Sequence, residues 1–308
     1  MFTRTSSGLF ALVLAGVLWG TGGLTGRLFA DNTGLAPVAV AGYRLSLGGI
    51  LLVVLLAARG NGPPRTTAAW QRITAVATLA AGFQATYFSA VALTGVSLAT
   101  LVTIGSAPVC VLVFQSVHTG RRPYGRSAAV VAMGLLGLTL LIGLPAAGTD
   151  PLHEALGAGL ALLCGILFAA FTLLGGRPLA GLTEQSVTGY GFLLGGGGLL
   201  AISGATAGIA FTPNLTGFGL LALLATAPTA PAYTLFLRGL RTVPSATATV
   251  VALLEPLTGT VLSVIVLGER LSPAGVIGAV VLGAAIVTST RTNGASAATA
   301  PIEQNGPR

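Results

Sequence analysis

The chain has 308 residues, of which only 7% are charged against 53% hydrophobic, with a mean hydropathy of +0.89. A soluble domain of this size cannot keep its surface wet with so few charges. The net charge of +8 would point to nucleic acid in a soluble protein, but here it comes from 15 arginines and no lysine, scattered in ones to threes between apolar segments. Arginine loops beside anionic lipid account for it more simply, so nucleic acid is excluded as a partner and the bilayer is the solvent to reason with.

In chain order, breaks at Pro, Gly, Arg and Asp clusters delimit ten apolar segments: about 8–30, 36–57, 70–92, 96–117, 126–144, 155–175, 184–204, 215–237, 246–267 and 273–290. A spanning helix needs roughly 20 residues, and these match. The first run follows Arg4 and is about twice the length of a signal-peptide core, so it reads as a retained helix. Pro228 and Pro231 predict a bend in the eighth segment. The stretch after Arg291, rich in Ala, Thr, Asn and Gly, reads as a structureless tail. The fold class predicted is all-α integral membrane, with ten transmembrane helices.

Arginine placement sets the orientation, because short loops rich in Arg stay in the cytoplasm. With the N-terminus inside, twelve arginines gather on the inner side, Arg27 and Arg270 face out, and Arg44 lies within a span. Both termini are then cytoplasmic.

The segments repeat. Gly42-Tyr43-Arg44-Leu45-Ser46-Leu47-Gly48-Gly49 recurs 147 positions later as Gly189-Tyr190-Gly191-Phe192-Leu193-Leu194-Gly195-Gly196. At an offset of 148, Thr94 and Ser97 meet Thr242 and Ser245, Pro108 meets Pro256, and Gly120-Arg121-Arg122 meets Gly268-Glu269-Arg270. Each unit has five spans, an odd number, so the second copy enters the membrane upside down. The division is a cytoplasmic N-terminus at 1–7, a first five-helix repeat at 8–144, an outer loop at 145–154, a second repeat at 155–290 and a cytoplasmic tail at 291–308. Inverted repeats of this kind set a substrate site near the midplane and give alternating access by rocking.

Leu18-Trp19-Gly20, Arg44, the Ser97…Pro108 and Ser245…Glu255-Pro256 stretches, and Leu267-Gly268-Glu269-Arg270-Leu271 before a Gly/Ala-rich last helix together resemble the EamA-type branch of the drug/metabolite transporter superfamily. The resemblance covers roughly residues 8–290. It implies a ten-helix inverted-repeat fold in a bacterial inner membrane that moves metabolites, commonly amino acids or amphipathic compounds, usually outward. Arg121 departs from the pattern, standing where many relatives have Glu in the first repeat.

Two ionisable residues fall well inside spans, Arg44 and Glu255, roughly 12–15 Å from opposite helix ends by the rise of 1.5 Å per residue. A charge near the bilayer centre costs about 2.5–3.5 kcal/mol, so each needs a partner or a wet cavity. Two readings stay open: a structural ion pair, or a site in which Arg44 holds a carboxylate while Glu255 binds an amine or a coupling proton. Pro108 and Pro256 each free a carbonyl four residues earlier, which lipid tolerates only against protein or water. They kink the helices for packing or face the cavity.

Trp19, Gln84, Tyr87, Gln115, Tyr190 and Tyr233 supply polar-tipped groups able to stack on a ligand and hydrogen-bond it. For each, packing or interfacial anchoring is the competing role. Trp19, through the family pattern, and Tyr43 with Tyr190, through the repeat, are the stronger candidates. Cys110 and Cys164 read as packing residues and His118 as a loop histidine. His153 beside Asp150 and Glu154 is too small a cluster to define a metal site. Small-residue spacings such as Gly16/Gly20 and Gly275/Ala279/Gly283 permit close helix approach within the chain or in a homodimer.

The sequence holds no Ser/His/Asp set, no His-rich metal cluster and no phosphate loop with a Lys, which argues against an enzyme, a cofactor or an ATP-driven pump. A channel lacks a filter-like repeat or charged ring here, and the loops are too short for a sensor domain. Secondary active transport of a small molecule, driven by substrate or proton gradients, is the leading expectation, with amino-acid export implied by the resemblance. Efflux of amphipathic drugs or cations, or a non-catalytic channel, are the alternatives.

Overall fold

The structure, a computed structural model, describes residues 4–120, 125–143, 150–268 and 270–298. Arg121, Arg122 and Glu269, on which part of the repeat comparison rests, lie outside it, as do residues 299–308. The described helices are α1 (Arg4–Thr33), α2 (Pro37–Ala58), α3 (Thr67–Thr119), α4 (Gly125–Ile142), α5 (Pro151–Gly175), α6 (Glu184–Thr206), α7 (Leu215–Thr226), α8 (Ala230–Gly239), α9 (Ser245–Val251), α10 (Leu254–Leu267) and α11 (Pro273–Ala298). Among the described residues, nine stretches are long and apolar enough to cross a membrane, α7–α8 and α9–α10 each counting as one.

The 53-residue α3 would be about 80 Å long if straight, but its backbone leaves helical values at Gly95, with φ 78° and ψ 168°. That region of backbone space is essentially reserved for glycine. The Tyr87 and Thr100 hydroxyls, 13 residues apart, lie 2.9 Å from each other across the break.

Two further breaks follow from proline. Pro228 cannot donate to the Leu224 carbonyl, and the Thr229 hydroxyl bonds that oxygen instead at 2.7 Å, where α7 gives way to α8. Pro256 cannot donate to the Ala252 carbonyl, which accepts from the Glu255 N–H at 3.0 Å, just after α9 gives way to α10. The expected bend of the eighth segment is therefore a break between Thr226 and Ala230.

Two expectations about connections are corrected. Residues 145–154 are not all loop: α5 starts at Pro151, because the Asp150 carboxylate caps it, accepting from the Leu152 N–H at 2.9 Å, and proline suits the first helical position. The last helix does not stop at 290 but runs to Ala298, despite Thr292, Asn293 and Gly294, which favour helix poorly.

Helix pairs meet at glycines, and the meetings come in reciprocal sets. A Cβ on Gly49 of α2 would stand 2.8 Å from the Gly189 carbonyl oxygen of α6, and one on Gly196 of α6 would stand 2.9 Å from the Gly42 carbonyl oxygen of α2. Along this seam Gly42 faces Leu200 while Gly49 faces Leu193, so α2 and α6 are antiparallel. Gly137 of α4 and Gly278 of α11 face each other's carbonyls in the same manner. A Cβ on Gly16 of α1 would lie 3.1 Å from the Val251 carbonyl oxygen, and one on Gly165 of α5 would lie 2.8 Å from that of Thr103. Gly120 and Gly268 end their helices in the same left-handed conformation, at φ 65° and 68°. Such close backbone approach is how helices associate where no hydrophobic effect drives them together.

Candidate substrate site

At the heart of the bundle the rings of α1, α3, α5, α6 and α8 converge. The Trp19 ring centroid lies 4.9 Å from Tyr233, 4.8 Å from Phe236 and 6.0 Å from Phe168. Tyr233 meets Phe192 at 4.7 Å and Phe171 at 5.9 Å, both edge-on, and stacks on Phe83 at 6.5 Å. Edge-to-face pairs set the positive rim of one ring on the negative face of another, about 0.5–1.5 kcal/mol each beyond burial. The Cys164 thiol donates to the Phe83 carbonyl at 3.0 Å, which ties α5 to α3 beside these rings.

Arg44 reaches this cluster from α2. Its Nη1 lies 3.9 Å from where a Cβ on Gly22 would stand, and that same point is 3.0 Å from Pro228 Cβ, so the guanidinium sits by the α7–α8 break. It interacts with the Tyr233 hydroxyl and with the charge of Glu255. The ion pairs within 4.0 Å among the described residues are Arg27–Asp31, His153–Asp150 and Arg241–Glu184, so Arg44 and Glu255 do not close on each other. Both are half-buried. Tyr87 and Cys164 lie in the same neighbourhood.

Several buried polar atoms here have no hydrogen-bond partner: Trp19 Nε1, Arg44 Nε and Gln84 Nε2, with Ser46 Oγ and Thr188 Oγ1. The first three are N–H donors. A buried donor left unmet costs about 1–3 kcal/mol, which an incoming acceptor would recover.

The structure thus brings together Trp19, Arg44, Tyr233, Tyr87 and Glu255, and buries Gln84 beside Phe83. Pro256 follows Glu255 at the start of α10, and Pro108 is buried along α3. Tyr43 and Tyr190 are not part of the cluster. Tyr43 donates to the Ile209 carbonyl at 2.7 Å and packs on Phe211, while Tyr190 packs on Trp70 at 5.5 Å; each anchors a connection between helices. Gln115 lines a separate cavity with His118. His153 bonds Asp150, whose carboxyl is held below the usual carboxylate range by that bond first and by the Leu152 N–H next.

Sequence reasoning missed the phenylalanines. Phe168 and Phe171, three residues apart on one helix face, carried the available signal.

A multi-pass helical bundle with an arginine, a glutamate and aromatic rings at its core is the architecture of a membrane transporter. The chain belongs to the EamA-like transporter family, whose model matches it twice, at residues 6–143 and 155–291. It is 28% identical over 283 residues to the uncharacterized transporter YwfM of Bacillus subtilis (strain 168), covering 88% of each chain. It also shares its fold with a protein of known crystal structure, at a TM-score of 0.80 and 22% identity, covering 96% of this chain and 99% of that one.

Proposed function

We propose that the chain is a secondary active transporter that works by alternating access and exports amino acids or related small metabolites across a bacterial inner membrane. The observation that carries this reading is that Arg44 and Glu255 share the core without closing into an ion pair, among N–H donors that lack partners. Arg44, with Trp19 and Gln84, takes the carboxylate. Glu255 takes the amine or a coupling proton, and the rings of Trp19 and Tyr233 flank the side chain.

The break at Gly95 supports counting α3 as two antiparallel spans, which makes ten. The reciprocal glycine contacts and the doubled family match support two five-helix halves related by inversion, at 8–144 and 155–290. The arginine distribution supports cytoplasmic termini. Phe171 and Phe236, stacked at 6.5 Å and essentially inaccessible, support a closed gate between the Trp19 cluster and the end of the bundle that carries Arg72, Arg177 and Arg241.

A second reading, efflux of a lipophilic cation, is favoured by one observation: seven aromatic rings pack together in the core near Glu255. Counterflow in liposomes with labelled amino acids and with a lipophilic cation separates the two. Saturable exchange of amino acids, lost in Arg44→Gln and stripped of its pH dependence in Glu255→Gln, supports the first; exchange of the cation alone refutes it.

A further inference from the structure

A second cavity, of about 350 Å³, opens where the end of α3, the end of α5 and the α8–α9 connection meet. Its size is that of small-molecule sites, roughly 300–1,000 Å³. Along one wall the rings of Phe114 and His118 are stacked, centroids 6.0 Å apart and planes 8° apart. Phe114 is 48% exposed. The floor is apolar, made of the buried Leu240 and Val243, and Arg177 and Ser245 supply the polar rim.

The charge of this cavity differs from that of the core. Among the described residues no acidic one lines it, whereas Arg177 does. The guanidinium of Arg177 forms no ion pair within 4.0 Å among the described residues, while the neighbouring Arg241 is already held by Glu184 at 2.8 Å. The end of α5 would oppose an anion with its terminal carbonyls, but Arg72 meets them, donating to Leu174 and Arg177 oxygens at 2.5 and 2.9 Å. Neither Trp19 nor Arg44 is among the described residues that line the cavity. Leu240 and Tyr233 are seven residues apart, about 10 Å along a helix.

We propose that this cavity is a second binding site, separate from the Arg44 site, for a planar aromatic solute carrying a single carboxylate. The ring extends the Phe114–His118 stack over Leu240 and Val243, and the carboxylate is taken bidentately by the Arg177 fork, a geometry that lysine does not reproduce. Cations are disfavoured, since among the described residues that line the cavity the charge is that of Arg177.

The chain has two histidines, so in a His153→Asn background His118 alone reports by its reaction with diethyl pyrocarbonate. The full chain is placed in phosphatidylcholine nanodiscs and the reaction is followed with benzoate, acetate or benzylamine added. Benzoate is expected to slow modification of His118 saturably, with acetate and benzylamine without effect. Arg177→Gln and Phe114→Ala are each expected to raise the apparent Kd for benzoate about tenfold, while Arg44→Gln leaves it unchanged. Should either variant not fold, the other remains decisive, and mass spectrometry of both modified histidines in the unaltered chain replaces the His153→Asn background. Absence of slowing by benzoate, equal slowing by acetate, loss of protection in Arg44→Gln, or protection by phosphatidylglycerol nanodiscs without benzoate each overturn the proposal; the last assigns the cavity to a lipid headgroup.

Discussion

The Tyr87 hydroxyl stands 2.9 Å from the Thr100 hydroxyl although the two residues are 13 positions apart, a separation of about 20 Å along a continuous helix. The chain therefore doubles back at Gly95, whose backbone no side chain tolerates well. Gly95→Ala is expected to destabilise the protein by about 1–3 kcal/mol and to lower the Tm in detergent. Thr100→Val, which removes only the hydroxyl bond, is expected to cost about 0.5–1.5 kcal/mol. A Gly95→Ala protein as stable as the parent would mean that the turn is made elsewhere.

The α2–α6 seam predicts matched penalties. A Cβ at Gly49 would stand 2.5 Å from the Leu193 nitrogen, and one at Gly196 2.5 Å from the Ser46 nitrogen, whereas Gly197 and Gly198 face open space. Gly49→Ala and Gly196→Ala should each cost about 1–3 kcal/mol through overpacking. Gly197→Ala and Gly198→Ala should be neutral or stabilising, by up to about 1 kcal/mol of helix propensity. Thermal denaturation of the four purified variants gives the comparison, and equal behaviour of all four would contradict the seam.

Cys164 is 2% exposed and bonds the Phe83 carbonyl at 3.0 Å, in the ring cluster to which Phe171 and Phe236 belong. In a Cys110→Ser background, a methanethiosulfonate reagent added at the end carrying Arg72 should label Cys164 slowly. Phe236→Ala should raise that rate by about tenfold, at a packing cost of about 3–5 kcal/mol; Phe171→Leu is the milder form of the same test. Unaltered labelling in both variants would show that the stack does not block the path.

Asp150 lies outside the spans and its carboxyl is held below its ordinary value, chiefly by His153 and then by the Leu152 N–H. Its stabilising effect is thus complete above the unfolded carboxylate pKa, about 4, and is lost as pH falls through the lower folded value. The Tm gap between the parent chain and Asp150→Ala should be full at pH 7 and close on acidification. A gap that persists at the lowest pH would trace the effect to packing instead.

The spans were legible because apolar runs interrupted by Pro, Gly and Arg translate directly into helices in lipid. The segment limits at 92 and 96 even bracket Gly95, and the Pro228–Pro231 pair marks the break between α7 and α8. Asp150-Pro151 was misread as loop although Asp before Pro is a helix-start signal. Of the site, Arg44 and Glu255 stood out since intramembrane charge is costly. Their failure to close into a pair was not legible, because it depends on where the α7–α8 and α9–α10 breaks put Pro228 and Glu255. Tyr43 and Tyr190 stood out through the repeat, but a repeat relates positions without saying how far they lie from the core. Phenylalanines carry no polar signature in an apolar chain, so the ring cluster emerges only from the packing.

Because Gly49 seats against Gly189 and Leu193 while Gly196 seats against Gly42 and Ser46, neither half of the chain is free to drift alone. A larger residue acquired in one copy pries apart the main chain that its counterpart must touch. The contact between α2 and α6 therefore accepts added bulk on neither helix unless both backbones move apart together.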